Sequence, residues 1–231
     1  MHKSLRRVVL MVVALVASSL SLVAVTSAPA QAAPTPTEAH LTRDYSVVKY
    51  GGYVTMQGWV TCCGDPEPGY GFKVQLQRKI GSGAWTVFST RDVTSTTPRP
   101  VWKFKPSASA YYRLYFPGIG TEFAPDYSPA LKVGVRRNLN DNWRSSTRTF
   151  YGKVAPKYAG KPVIIQKSTC RYPNSSSCSW SVHKVVYTNG YSNWAVRLPA
   201  YRTRTHFRAY VRPSSGYLGS LSNHYVTTYR Y

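Results

Sequence analysis

The stretch YRTRTHFRAYVR, from Tyr201 to Arg212, alternates residue by residue between two kinds of side chain. Basic or polar aromatic side chains occupy one set of alternate positions: Arg202, Arg204, His206, Arg208, Tyr210 and Arg212. Small or apolar side chains occupy the other set: Thr203, Thr205, Phe207, Ala209 and Val211. Because successive side chains of a β-strand point to opposite faces of its sheet, this pattern predicts a strand with one packed face and one cationic face.

Part of this strand repeats an earlier segment of the chain. Tyr112-Arg113-Leu114-Tyr115 recurs 95 positions later as Phe207-Arg208-Ala209-Tyr210. Four more pairs recur in the same order with similar offsets: Gly58-Trp59-Val60 with Gly152-Lys153-Val154, Val74-Gln75-Leu76-Gln77 with Val163-Ile164-Ile165-Gln166, Trp85 with Trp180, and Ser128 with Ser222. The matches predict two copies of one structural unit.

Each copy consists of short runs rich in Val, Tyr, Thr and Trp, broken by clusters of Gly, Pro, Asn or Ser. A turn signal about every 8 to 12 residues predicts an all-β fold of two tandem β-sandwiches, each with about seven strands. The strands predicted in the first copy lie near Tyr53–Val60, Lys73–Arg78, Ala84–Ser89, Val101–Lys105, Tyr111–Phe116 and Leu131–Arg136. Those predicted in the second copy lie near Thr149–Val154, Pro162–Lys167, Ser179–Val186, Asn193–Leu198, Thr205–Arg212 and Tyr225–Tyr229.

The first residues of the chain, 1–32, have the features of a secretory signal peptide. Lys3, Arg6 and Arg7 form a positive segment, an apolar run follows, and Ala30-Gln31-Ala32 provides a small-x-small cleavage site. We expect cleavage after Ala32, a secreted or cell-wall-associated product, and no stable membrane insertion once the leader is removed.

Four segments are expected after cleavage. Residues 33–41 form a flexible proline-rich leader, and residues 42–137 form the first sandwich. Residues 138–143 form a short polar linker, and residues 144–231 form the second sandwich. Because the linker is short, we expect limited freedom between the sandwiches.

The charge of the chain is strongly one-sided. It has 30 Lys and Arg against 8 Asp and Glu, a formal net charge of +22. From Asn142 to Tyr231 it has 14 Lys and Arg and no acidic residue. These cations therefore have no carboxylate partner within the second copy and must face solvent, aromatic rings, backbone carbonyls or an external anion.

The cysteines suggest an oxidising compartment. Cys170 and Cys178 flank a short polar loop, and in an exported chain we expect a disulfide between them. Cys62 and Cys63 are adjacent, which leaves open a vicinal bridge, pairing with another chain, or two thiols. No cysteines and histidines stand at the spacing of a zinc site, so no metal or other cofactor is predicted.

Five motifs of the second copy stand in a recognisable order: Gly152–Val154, Gly160–Gln166, Trp180, Phe207–Val211 and Ser222. This order resembles the immunoglobulin-like or fibronectin-III-like repeats of secreted Gram-positive proteins. The resemblance covers about Thr42 to Tyr231 and implies two tandem immunoglobulin-like β-sandwiches. It also implies a role as a spacer, an adhesion module or an appendage of a catalytic domain.

Enzymatic activity is not predicted. Hydrolases and transferases generally need a paired acid and base, a metal or an activated nucleophile, and the second copy contains no carboxylate. Ser181 and Lys184 fit an S-x-x-K pattern, but strand positions three apart point to opposite faces. His183, His206 and His224 lie on separate predicted strands, where we expect surface positions.

The predicted function is that of a cell-envelope-associated binding or structural module with a basic face on the second sandwich. The expected partner of this face is an anionic cell-wall polymer or another polyanion. The candidate anion-binding residues are Arg197, Arg202, Arg204, His206, Arg208 and Arg212, with Tyr201 and Tyr210 as neighbours. Nucleic acid is not the expected partner, because no recognition motif accompanies the charge. The competing interpretation is a solvated strand face whose arginine stems cover aromatic rings.

A carbohydrate-binding module is the alternative function. Asn189, Tyr191, Asn193 and Trp194 supply the polar and aromatic groups of a sugar platform, although Asn189-Gly190 also fits a hairpin turn. The tryptophans, Trp194 included, also argue for packing roles. Two pairs recur at matching positions, Trp85 with Trp180 and Trp102 with Trp194, and such pairs predict core or inter-sheet positions.

Overall fold

The computed structural model describes residues 32–62 and 70–228. Within these ranges every regular element is a β-strand, and no helix is long and apolar enough to cross a membrane. The predicted signal peptide up to Gln31, and Cys63, lie outside the described residues. The chain from Ala33 onward forms one compact unit.

The described residues of the first sandwich form nine strands: β1 Thr37–Arg43, β2 Val47–Lys49, β3 Val54–Cys62, β4 Phe72–Ile80, β5 Thr86–Val93, β6 Val101–Phe104, β7 Ala110–Phe116, β8 Asp126–Tyr127 and β9 Leu131–Arg136. One sheet has the order β1-β3-β6. The other has the order β2-β9-β7-β4-β5, with β8 paired to β7.

Up to residue 228, where the described part of the chain ends, the second sandwich has seven strands: β10 Asn142–Arg144, β11 Thr149–Lys153, β12 Pro162–Ser168, β13 Ser181–Tyr187, β14 Asn193–Arg197, β15 Thr205–Val211 and β16 Ser220–Thr227. Its sheets have the orders β10-β11-β14 and β13-β12-β15-β16. The first, second and fifth strands thus face the other four, which is an immunoglobulin-like order. The predicted all-β fold of two immunoglobulin-like sandwiches is confirmed.

The core of the second sandwich follows from the alternation that the sequence showed. Phe207, Ala209 and Val211 of β15 point inward and are fully buried. They belong to the same cluster as Phe150 and Trp194, whose rings meet edge to face with centroids 4.7 Å apart. Each large apolar side chain buried in this way contributes about 1.5–3 kcal/mol to stability.

Residues 37–43 overturn the prediction of a flexible leader over residues 33–41. All seven residues of β1 pair with β3, from Thr37 opposite Cys62 to Arg43 opposite Met56. Ala39 is 1% exposed and belongs to the core. The strand escaped sequence analysis because polar residues surround its two inward-facing apolar positions.

Two other boundaries differ from the predictions. The last strand, predicted at Tyr225–Tyr229, begins at Ser220, where it pairs with Val211. The predicted linker, residues 138–143, ends inside a strand, because β10 begins at Asn142. Within the linker, Asn138 exchanges both of its backbone hydrogen bonds with Ala155, at 2.9 and 2.8 Å. Every other predicted strand overlaps an observed one, while β1, β2, β8 and β10 were not predicted.

The two sandwiches meet through the loop between β15 and β16. Leu218 N donates to the carbonyl of Val135 at 2.8 Å, and Tyr217 OH donates to the carbonyl of Ser107 at 2.5 Å. Leu218 occupies space that Gly134 leaves open, since a Cβ on Gly134 would lie 2.5 Å from Leu218 Cδ1. The second sandwich therefore packs directly against the first.

Candidate functional site

Arg208, at the centre of the predicted cationic face, is held by its own sheet. Its guanidinium lies 4.0 Å from the centroid of a Trp180 ring, and its Nε donates to Gln166 Oε1 at 2.8 Å. Burial lowers the pKa of Arg208. This geometry matches the competing interpretation, in which an arginine stem covers an aromatic ring.

The first sandwich contains the same arrangement. Arg113 lies 4.4 Å from the Trp85 ring centroid and donates through Nε to Gln77 Oε1 at 2.9 Å. Tyr127 covers the guanidinium as well, at 3.9 Å, whereas Leu221 takes the equivalent place beside β15. This arginine position therefore serves packing in both sandwiches.

His206 is not part of a cationic surface, and the predicted surface position is wrong. Its ring is 1% exposed, and neither nitrogen has a hydrogen-bond partner. Burial lowers the pKa of His206, and the nearby charges of His224 and Arg204 lower it further. Both effects favour the neutral form of the imidazole.

Of the other residues predicted for this face, only Tyr210 lies on β15 with His206 and Arg208. β15 begins at Thr205, so Arg202 and Arg204 are exposed residues of the preceding loop. Arg212 is exposed just beyond the end of β15, and Tyr210 is half-buried on the outer face of the sheet. The predicted alternation holds from Phe207 to Val211, fails at the buried His206, and was extended beyond both ends of β15.

Tyr201 and Arg197 lie in different places again. The Tyr201 ring lies 6.2 Å from the Phe207 ring, and Lys167 Nζ lies 5.3 Å from its centroid. Arg197 is on β14 of the three-stranded sheet, opposite Thr149 of β11. The predicted anion-binding set is thus distributed over both sheets and their flanking loops, and anion binding by it stays a prediction.

The three-stranded sheet carries a groove of roughly 600 Å³ on its outer face, which we call the outer groove. Residues from β10, β11, β14, their flanking turns and the end of β13 line it: Asn140, Arg144, Thr149, Tyr151, Gly152, Lys153, Tyr187, Asn189, Asn193, Trp194 and Ala195. Two cations, two tyrosines and three asparagines are present, and no carboxylate is among the lining residues.

Strand alternation explains how β11 contributes to this groove. Phe150 and Gly152 are buried, which turns Thr149, Tyr151 and Lys153 outward. On β14, Asn193 pairs with Lys153 and Ala195 pairs with Tyr151, so their side chains share the outer face. The guanidinium of Arg144 on β10 lies 5.7 Å from the Tyr151 ring centroid. The floor therefore consists of an aromatic ring flanked by cations.

The turn after β13 forms the rim. Tyr187 is 69% exposed, which leaves its ring accessible beside the groove. Asn189 Oδ1 accepts hydrogen bonds from Tyr191 N and Asn193 N, both at 3.0 Å. No described residue accepts a hydrogen bond from the Asn189 side-chain nitrogen, so this amide remains a donor for a ligand.

The predicted sugar platform is assembled in part. Asn189, Asn193 and Trp194 line the outer groove, whereas Tyr191 does not. Trp194 is 3% exposed, as is Trp102, so the core positions predicted for this pair are confirmed. A buried indole cannot offer its face to a sugar ring. The candidate residues predicted from the sequence did not include Tyr151, Lys153, Arg144 or Tyr187. For the first two, the alternation of side chains along β11 already indicated an outward position.

The other tryptophan pair, Trp85 and Trp180, is not in the core. Both side chains are half-buried beneath the arginines described above. The predicted disulfide between Cys170 and Cys178 is confirmed, with Cα atoms 5.8 Å apart. It closes the loop between β12 and β13, away from the outer groove.

The acidic residue nearest in sequence, Asp141, is already engaged. Its Oδ2 accepts a hydrogen bond from Tyr225 OH at 2.9 Å, and its Oδ1 accepts one from Asn223 N at 3.4 Å. Burial and this carboxylate raise the pKa of Tyr225 to about 12. The Asp141 oxygens are therefore bound to these two donors, and neither ion pair of the described residues joins Asp141 to a cation of the groove.

Few acidic side chains form ion pairs elsewhere in the described ranges. Their two ion pairs join His40 to Glu38 and Lys73 to Asp92, both in the first sandwich. No group of three His, Cys, Asp or Glu side chains there is arranged to hold a metal ion. Neither of these pairs lies in the second sandwich.

No family model matches the chain, and no curated protein matches it. Among solved structures, it is similar to the ligand-binding domain of human OSCAR, with 14% sequence identity and a TM-score of 0.32. The similarity covers 86% of this chain and 100% of that chain. The fold assignment rests on the strand order given above.

Proposed function

We propose that this is an exported, non-catalytic protein of the cell envelope whose second sandwich binds an anionic, hydroxyl-rich polymer in the outer groove. One observation carries the proposal. The groove combines Arg144 and Lys153 with two tyrosines and three asparagines and has no carboxylate in its lining. The disulfide between Cys170 and Cys178 is compatible with export.

Each kind of side chain in the outer groove suits one chemical group of such a polymer. Arg144 and Lys153 provide charge-assisted hydrogen bonds to phosphate or carboxylate groups. Tyr151 and Tyr187 offer amphipathic rings to the carbon skeleton of a sugar or polyol, and the asparagine amides pair with hydroxyl groups. Arg197, opposite Thr149, extends the positive surface at one end.

The first sandwich offers a contrast at the same face. We infer that the sandwiches are copies of one unit, which the matching contacts of Arg113 and Arg208 support. At the position of Lys153 the first copy has Trp59, whose ring stacks on His40 with centroids 5.0 Å apart. We therefore assign polymer binding to the second copy.

Retention on immobilised poly(glycerol phosphate), a teichoic-acid-type polymer, tests the proposal. We expect Arg144→Ser/Lys153→Ser to weaken binding about tenfold, since two charge-assisted contacts are lost. The matched control is Lys103→Ser/Lys184→Ser, which removes two exposed lysines outside the groove. Equal weakening by both pairs would mean that net charge alone is responsible, and the proposal would fail.

The groove's tyrosines and asparagines favour a second candidate, a neutral glycan. A column of uncharged polysaccharide separates the two possibilities. Retention there that is insensitive to salt and lost in Tyr151→Ala would favour neutral carbohydrate. Retention on the anionic polymer alone, lost in Arg144→Ser/Lys153→Ser, supports the proposed function.

A further inference from the structure

Arg137 is a buried cation at the junction of the two sandwiches. It is 5% exposed, and its guanidinium lies 4.7 Å from the ring centroid of Tyr158 and 4.2 Å from that of Tyr217. Among the described residues its only hydrogen bond runs from Nη1 to the carbonyl of Pro156, at 3.1 Å. Its Nε is buried without a partner, and neither ion pair of the described residues includes it.

The buried charge and the N–H donors of Arg137 are only partly compensated by the protein. A guanidinium has five N–H donors, and a buried charge is unfavourable unless it is paired and hydrogen-bonded. The two tyrosine rings compensate in part through cation–π contacts. Burial lowers the pKa of Arg137, in the direction expected of a cation that lacks a counter-charge.

A pocket of roughly 350 Å³ opens beside Arg137, and we call it the junction pocket. Ser214 lines it with a buried Oγ that has no hydrogen-bond partner. Lys157 and Lys161, both exposed, line it as well. No Asp or Glu is among its lining residues. Three cations and an unpaired hydroxyl from separate segments thus converge on one cavity.

We propose that the junction pocket binds a phosphate-type oxyanion through Arg137 and Ser214, with Lys157 and Lys161 at its mouth. Three positive charges suit a phosphate group, and the unpaired donors of Arg137 and Ser214 match its oxygens. The volume leaves room for an organic substituent, so the ligand is either free phosphate or a phosphoryl group of a larger molecule. This site is separate from the outer groove.

Bound phosphate would also tie the two sandwiches together. Arg137 directly follows β9 of the first sandwich, whereas Ser214 belongs to the loop between β15 and β16 of the second. Lys157 and Lys161 come from the loop between β11 and β12. A ligand that bridges these segments binds only the assembled junction and stabilises it by mass action.

Isothermal titration with inorganic phosphate tests the proposal, with chloride at equal ionic strength as the reference. We expect saturable binding by the wild-type protein and about tenfold weaker binding by Lys157→Ser/Lys161→Ser. Both lysines are exposed, so this variant keeps its fold. Ser214→Ala should weaken binding as well. Lys103→Ser/Lys184→Ser should match the wild-type protein within about twofold.

Glycerol 3-phosphate and poly(glycerol phosphate) complete the experiment by distinguishing the possible sources of the phosphoryl group. Binding of any of the three probes that depends on Lys157 and Lys161 supports the site. The probe whose affinity falls most in Lys157→Ser/Lys161→Ser identifies the source of the phosphoryl group. Absence of saturable binding below about 10 mM for all three, or equal weakening in the control variant, overturns it. Arg144→Ser/Lys153→Ser should leave phosphate binding unchanged, which separates this inference from the proposed function.

Discussion

Replacing Arg208 with lysine tests whether this residue supports the fold rather than a ligand. The substitution keeps a positive charge on β15 but removes the planar guanidinium. That group lies 4.0 Å from the Trp180 ring centroid and donates to Gln166 at 2.8 Å. A lysine ammonium sits on a flexible stem and does not reproduce a stacked, directional contact of this kind.

The magnitude follows from these two contacts. A hydrogen bond from a charged donor contributes about 1.5–3 kcal/mol, and a cation–π contact at a partly exposed site about 0.5–1 kcal/mol. Because the residue is only half-buried and lysine recovers part of the attraction, we expect a loss of about 2 kcal/mol. For a protein of this size that corresponds to a melting temperature lower by about 4–8 °C.

Circular dichroism on heating and in urea measures the effect. Arg113→Lys is the matched variant in the first sandwich, and it should cost at least as much, because Tyr127 also covers that guanidinium at 3.9 Å. Arg202→Lys/Arg204→Lys, in an exposed loop, should change stability by less than about 0.5 kcal/mol. An unchanged melting temperature of Arg208→Lys together with lost polymer binding would refute a structural role.

Three other perturbations have defined outcomes. Gly152→Ala should lower the free energy of unfolding in urea by about 1–3 kcal/mol, because its Cβ would lie 2.6 Å from a backbone carbonyl oxygen. Gly190→Ala, whose Cβ meets nothing within 4 Å, should lower it far less. Equal losses in the two variants would contradict the packing argument. Burial lowers the pKa of His206, so as pH falls below about 6.5 the unfolded chain takes up a proton that the folded chain excludes. Stability should then fall by about 1.4 kcal/mol per pH unit until the folded-state pKa is reached. Urea unfolding of His206→Leu between pH 7 and 5 should show a smaller change of stability with pH than the wild-type protein. An unchanged pH dependence would count against a buried neutral ring. Cys170→Ser/Cys178→Ser, which opens a disulfide of sequence separation 8, should cost about 2–3 kcal/mol, and an unaltered melting temperature would show that the bridge has no structural role.

The strands could be predicted where alternation was strong and turn signals were close. β9 was predicted with both ends correct, at Leu131–Arg136, and β11 with the correct start at Thr149. β1 was missed, because only Ala39 and Leu41 of its seven residues face the core as apolar side chains. Local pattern cannot recognise a strand whose burial depends on a distant partner.

The candidate site was less predictable than the fold. Alternation tells which residues of one strand share a face, but not which sheet the strand joins. Arg197 and Arg208 were therefore grouped, although β14 and β15 belong to different sheets. In the same way, the outward parity of Tyr151 was present in the sequence, whereas the approach of Tyr187 to it is a tertiary feature.

The salt dependence of poly(glycerol phosphate) binding tests the central claim most directly. Dissociation constants of the wild-type protein, Arg144→Ser/Lys153→Ser and Lys103→Ser/Lys184→Ser would be measured between about 50 and 200 mM salt. On a plot of log association constant against log salt concentration, we predict a steep negative slope for the wild-type and control proteins. The groove variant should bind more weakly, and its slope should be shallower by the equivalent of about two phosphate contacts. Identical affinity and slope in the groove and control variants would contradict binding in the outer groove.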